Sequence, residues 1–157
     1  MVLEEYYYVS QIASAAIVIA SVIYLAIQVR GNAKALRSQA HYNALFTAQR
    51  PFEMMIETEG LAKLINTFYM TPAELDDGER ERCTLFVFMQ YNSWEYLYYQ
   101  NSDGSIPREF WVGADAWFRH LIRTKPGFRR VWSELSESFG EPFRSYVVHA
   151  IEKRDLQ

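Results

Sequence analysis

A chain of 157 residues, 50% hydrophobic and 16% aromatic, has material for one packed domain beside a short further segment, and its composition is not that of a disordered protein. Its formal net charge of -3 gives no global basic surface, so nucleic acid is not an expected partner. The single cysteine, Cys83, excludes an internal disulfide and a thiolate-rich metal site and fits a reducing compartment; no cofactor is expected.

Residues 6–29, YYYVSQIASAAIVIASVIYLAIQV, carry no charge and are closed by Arg30. A bilayer core about 30 Å thick needs roughly 20 apolar residues of helix, so this stretch predicts a membrane span. A cleavable signal peptide would begin with a basic region and end at a small-residue cleavage site. The chain instead opens MVLEE and leaves the apolar core as QVRGNAKALR, which favours a permanent anchor over residues 1–30, with the lipid bilayer as one partner. Glu4 and Glu5 precede the span, and Arg30, Lys34 and Arg37 follow it. The positive flank predicts the N-terminus outside and residues 31–157 in the cytoplasm, with Tyr6, Tyr7 and Tyr8 at the outer headgroups.

Within the span, Ser14, Ser21 and Gln28 recur every seventh residue, with Ser10 and Gln11 a turn above, and make one polar stripe. Ala13, Ala16 and Ala20 lie beside it and would let a neighbouring backbone approach closely. Ile12, Val18, Ile19, Val22 and Leu25 face the other way, toward lipid. Two readings fit. Serine and alanine are tolerated in any spanning helix, or the small and polar side faces identical copies in a parallel homo-oligomer. The Gln28 amide, costly in hydrocarbon without a partner, favours the second.

Beyond the span, helix signals dominate. Leu36, Ala40, Tyr42 and Leu45 or Phe46 recur at helical spacing, so the spanning helix is expected to run through Gly31 until Pro51 interrupts or kinks it. Phe52, Met55, Ile56, Leu61, Leu64, Ile65 and Phe68 give a second amphipathic segment with a break at Gly60. Thr71, Pro72 and Glu74 have the pattern of a helix start, with Thr71 as N-cap and Glu74 closing a capping box. The acidic run Glu74, Asp76, Asp77, Glu79 and Glu81 then sits near the positive helix end. Residues 85–99, apolar on nearly every side, predict the central helix, ended by the turn cluster 101–105. Pro107 opens a helix with Phe110, Trp111, Ala114, Trp117, Phe118 and Leu121 on one face, broken at Lys125, Pro126 and Gly127. Residues 128–139 and 142–153 predict two final helices about Gly140. The expected class is all-α: one transmembrane helix continuing into a compact cytoplasmic bundle over 31–157.

The segment Gln28, Val29, Arg30, Gly31, Asn32, Ala33, Lys34, Ala35, Leu36, Arg37 resembles the "Q-[IV]-R-x-N-x-x-[AV]-[LV]-R" signature of a family of uncharacterised small bacterial membrane proteins. Glu95, Tyr99, Gln100 and Gly104 resemble its "E-x-x-x-Y-Q-x-x-x-G". Pro126, Gly127, Arg129, Trp132, Phe139 and Phe143 resemble its "P-G-x-R-x-x-W…F…F". The likeness runs through the whole chain and implies a single-pass protein of the bacterial inner membrane, without an activity to lend. The architecture alone is also similar to the pore-forming membrane accessory protein of type VI-B CRISPR loci.

Few residues suggest chemistry. Arg144 and His149 have the R-x4-6-H spacing of HEPN ribonucleases, where such a pair acts on the RNA 2'-hydroxyl and scissile phosphate across a dimer; with this many arginines the spacing arises readily by chance. The bland reading pairs Arg144 with a carboxylate and leaves His149 at a helix end. No Glu-x-x-His ligand pair, phosphate loop or nucleophile elbow occurs, so an enzyme is not expected. Glu95, the lone carboxylate of an apolar helix, calls for a buried ion pair with Arg129 or Arg144. Trp94, Trp111, Trp117 and Trp132 lie at core spacing. Two classes of function follow: a small pore whose axial path is the polar stripe, gated by the cytoplasmic bundle, or a membrane-tethered scaffold or regulator with an unidentified protein partner.

Overall fold

The computed structural model describes residues 2–152, with side chains from Tyr6 onward; Lys153, expected to end the last helix, lies outside the described residues, as do the side chains of Glu4 and Glu5. The described residues form six α-helices: α1 Val2–Glu57, α2 Leu61–Met70, α3 Asp77–Ser102, α4 Arg108–Thr124, α5 Pro126–Leu135 and α6 Phe143–Glu152. Two 3-10 turns, Pro72–Glu74 and Ser136–Ser138, complete the fold, and no strand occurs among these residues. The chain divides into two units, Met1–Gln39 and Ala40–Gln157.

The first unit is the leading part of α1. It contains an uncharged window with mean hydropathy 2.3, long and apolar enough to cross a membrane, and none of that window is buried. Every side chain described in this unit is exposed.

The second unit closes a core of its own about α3, which buries Cys83, Phe86, Val87, Tyr91, Trp94 and Leu97 along its length. Against it lie Trp111, Phe118, Leu121 and Ile122 of α4, Phe128, Val131 and Trp132 of α5, and Phe143, Val147 and Ala150 of α6. Aromatic rings carry much of the packing. Tyr91 stacks on Phe128 at 4.3 Å, Trp94 on Phe118 at 5.2 Å and Trp132 on Phe139 at 5.4 Å. Such pairs add about 0.5–1.5 kcal/mol each beyond their area burial.

Three local expectations are corrected. Pro51 does not end α1, which continues to Glu57. A proline at this position leaves the Thr47 carbonyl without its usual N–H donor, and the Ser93 hydroxyl of α3, 3.4 Å away, reaches that oxygen while also donating to Met89 O at 3.0 Å. The packed face of this part of α1 is Ala44, Thr47, Ala48 and Pro51; Tyr42 and Phe46 are exposed. Small side chains there admit close approach to the core, which a face of large residues would prevent.

Thr71 caps only the 3-10 turn and makes no side-chain cap bond. The N-cap of α3 is Asp76: its carboxylate accepts from Glu79 N at 2.8 Å, and the Glu79 side chain takes the Asp76 N–H at 3.4 Å. The expected break at Gly60 is present, at φ 75°, a left-handed conformation that glycine adopts without a Cβ penalty. At Lys125 the chain turns from α4 into α5 with Pro126 at the first helical position, so Gly127 lies inside α5 and breaks no helix.

Candidate functional site

In the first unit Ser10, Gln11, Ser21 and Gln28 of the polar stripe find partners along their own helix. Ser21 Oγ donates to Ile17 O at 2.8 Å and Ser10 Oγ to Tyr7 O at 2.8 Å. Gln11 Nε2 donates to the Tyr7 hydroxyl at 3.2 Å, and Gln28 Nε2 to the Tyr24 hydroxyl at 2.6 Å. The partner that the Gln28 amide requires therefore lies one turn earlier on its own helix. Ser14 is exposed and makes no side-chain hydrogen bond among the described residues, and Ala13, Ala16 and Ala20 are exposed beside it.

In the second unit the expected ion pair of Glu95 is absent among the described residues. Glu95 is half-buried and its Oε1 accepts from Gly140 N at 3.3 Å, so a neutral donor in the turn before α6 meets it where an arginine was expected. Arg144 pairs with Glu141 at 3.0 Å, and the Nε of Arg129 is buried without a partner. Arg144 and His149 do line one shallow surface depression, but Glu141 and Glu152 line it too, and His149 Nδ1 stands 3.8 Å from Glu152 Oε2. Two carboxylates beside the pair oppose a phosphodiester there.

One polar cluster was not foreseen. Asp115 Oδ1 accepts from Trp94 Nε1 at 3.1 Å and from the Tyr146 hydroxyl at 2.7 Å, while Oδ2 takes Arg119 Nε at 2.7 Å. Arg119 also donates to the Tyr146 hydroxyl at 2.6 Å and lies over its ring, 4.9 Å from the centroid. Burial works against the Arg119 charge, but the bonds to Asp115 and Tyr146 outweigh it and hold the guanidinium above its ordinary pKa. Burial, with Asp115 beside it, raises Tyr146 well above its ordinary value. Arg119 is held charged and Tyr146 neutral, and the shared bonds make the cluster a structural clamp joining α3, α4 and α6. Replacing Asp115 by Ala strands the Trp94 N–H and removes the Arg119 counter-charge, and should cost about 2 kcal/mol in urea unfolding. Asp115→Asn, which keeps an acceptor, should cost visibly less. The only sequence signal was the i,i+4 spacing of Asp115 and Arg119 on an otherwise aromatic face.

The second unit also contains a groove. A cavity of about 410 Å³ is walled by Leu45, Ala48 and Phe52 of α1 and by Phe110, Gly113 and Trp117 of α4, with Gln90 of α3 among its lining. A second cavity of about 320 Å³ shares Phe52, Gln90 and Trp117 and adds Tyr69, His120 and Lys125. Trp117, read from spacing as a core residue, is 42% exposed, and its ring lies 5.7 Å from that of Phe52. Gln90 is 2% exposed; its Oε1 accepts from the Tyr69 hydroxyl at 2.6 Å. Burial pushes Tyr69 up to about 12, so it remains a donor, and the Gln90 amide N–H2 makes no hydrogen bond among the described residues.

No three His, Cys, Asp or Glu side chains group to hold a metal ion among the described residues. Comparison with protein-family models, curated proteins and solved structures gives no match.

Proposed function

We propose that this chain is a single-pass protein of the bacterial inner membrane, N-terminus outside, that self-associates through its span and holds a helical interaction module at the cytoplasmic face. The observation that carries this reading is the uncharged stretch 6–29 of the first unit, a helical surface on which Tyr6, Ile12, Ile17, Val22 and Leu25 are all at least 60% exposed. That much apolar surface left open in water would drive aggregation; a bilayer covers it. The bonds of Ser21 and Gln28 to their own helix support a tether over a pore, since neither group needs an aqueous path for its donor, and the self-association rests instead on the exposed small side of Ala13, Ala16 and Ala20.

Topology is the test. Cys83 is buried, and its thiol is pushed up to about 11, chiefly by burial, so it stays unreactive and gives a silent background. A membrane-impermeant maleimide should label Glu4→Cys in intact spheroplasts and Asp103→Cys only after permeabilisation, with the chain retained in the pellet after alkaline carbonate extraction. Release into the supernatant overturns the reading. The detergent-extracted particle should have a multiple of the chain mass. Conductance in planar bilayers that disappears in Ser21→Leu or Gln28→Leu would establish the pore in its place.

A further inference from the structure

We infer that the paired cavities of the second unit form a binding site for a single-chain anionic amphiphile of the fatty-acid class. The lining is divided by chemistry. The larger chamber is walled mainly by Leu45, Ala48, Phe52, Phe110, Ala114 and Trp117, with Glu109 and Gln49 also on its lining, while Asn66, His120 and Lys125 are polar residues of the smaller one beside Met55, Ile65 and Leu121. No acid lines the smaller chamber, and no carboxylate pairs with Lys125 among the described residues; its ammonium lies 3.7 Å from Met70 Sδ. A carboxylate head suits that end, and an alkyl tail suits the other.

Two further observations point to an occupant. Gln90 is a buried amide with an unused donor on the wall common to both chambers. That donor opens onto the chambers instead of being sealed in the core, so an acceptor on a ligand can take it in place of water. Gly113 lies in the interior of α4, where glycine is disfavoured against alanine by about 1 kcal/mol. A Cβ there would meet nothing within 4 Å, so no packing neighbour requires the glycine; what its absent side chain leaves open is the larger chamber.

Size selects the class of occupant. A 150 Å³ cavity takes one benzene, so on the same scale 410 Å³ takes up to about 16 carbons, enough for a twelve-carbon chain. A single alkyl chain fits the larger chamber. The site belongs to the second unit and stands whether or not the first unit crosses a bilayer.

The experiment uses the full chain in nanodiscs, titrated with terminally brominated dodecanoate while tryptophan fluorescence is read. Bromine quenches on contact, so the wild-type signal should fall to a plateau, and Trp117→Phe should lose the quenched component. Gly113→Leu fills the larger chamber and should weaken binding at least tenfold with an unchanged near-ultraviolet circular dichroism spectrum. Should that variant lose its cooperative melt, Gly113→Met makes the same comparison. Lys125→Gln should weaken dodecanoate about tenfold and leave brominated dodecanol unaffected, since only the anion uses the charge-assisted bond. Dodecyl phosphate competing as well as dodecanoate still supports an anionic head. Quenching that rises without a plateau and is equal in Gly113→Leu overturns the site, and equal affinity of wild type for dodecanoate and dodecanol overturns the head-group assignment. A groove occupied by a second copy would show no plateau and a smaller particle in Gly113→Leu, which also overturns it.

Discussion

Replacing Trp94 by Ala should lower the stability of the helical domain by about 3–5 kcal/mol, enough to leave much of it unfolded at a typical domain stability. Trp94 is fully buried at the middle of α3. Its indole stacks on Phe118 at 5.2 Å, meets Phe143 edge-on at 5.7 Å, and donates from Nε1 to Asp115. Truncation therefore opens a cavity between α3, α4 and α6 and removes one of the donors that the Asp115 carboxylate relies on. Trp94→Phe retains a ring and loses only the bond and part of the volume, so its loss should be about half as large. Urea unfolding followed by circular dichroism measures both. A Trp94→Ala loss below 1 kcal/mol would mean that the aromatic stack does not hold the domain together.

The same residue shows how far local pattern reaches. Its burial was legible, because residues 85–99 are apolar on nearly all sides and long enough to be a central helix. Its hydrogen bond was not, since Asp115 lies 21 positions away. The break at Gly60 and the start of α4 after Pro107 were likewise readable, each being a property of one or two residues. Thr71–Glu74 and Asp76–Glu79 carry the same cap spacing five residues apart, and Pro72 made the first look better; the 3-10 turn between them decides for the second. Pro51 was misread for a long-range reason, because the donor that meets the freed Thr47 carbonyl, Ser93, lies 46 residues beyond Thr47. Trp117 misled as well, since helical spacing gives a face but not which edge of that face is left facing a groove. In the span, the hydroxyls of Tyr7 and Tyr24 as partners for the glutamines were overlooked although i,i+4 spacing displays them.

Gly127→Ala should be the most damaging single methyl added to the domain. Gly127 is buried in the first turn of α5, with no positive φ, so its role is space. A Cβ at this position would run into the carbonyl oxygen of Phe68, stand 2.8 Å from its carbonyl carbon, and press 3.0 Å against Cδ1 of its ring. The first two are backbone atoms of α2, which cannot swing aside as a side chain can. The α2 and α5 helices must therefore part, and the strain falls on the next residue, Phe128, which stacks on Tyr91 at 4.3 Å and accepts its hydroxyl at 3.0 Å. Overpacking of this kind costs about 1–3 kcal/mol, and more where backbone must move, so about 3 kcal/mol is expected here. Gly113→Ala is the internal control, because its added methyl meets nothing and gains helix propensity; it should stabilise by about 0.5–1 kcal/mol. Opposite signs for one chemical change at two glycines test the packing directly. Equal unfolding midpoints for Gly127→Ala and wild type would rule out the close approach of α5 to the Phe68 backbone.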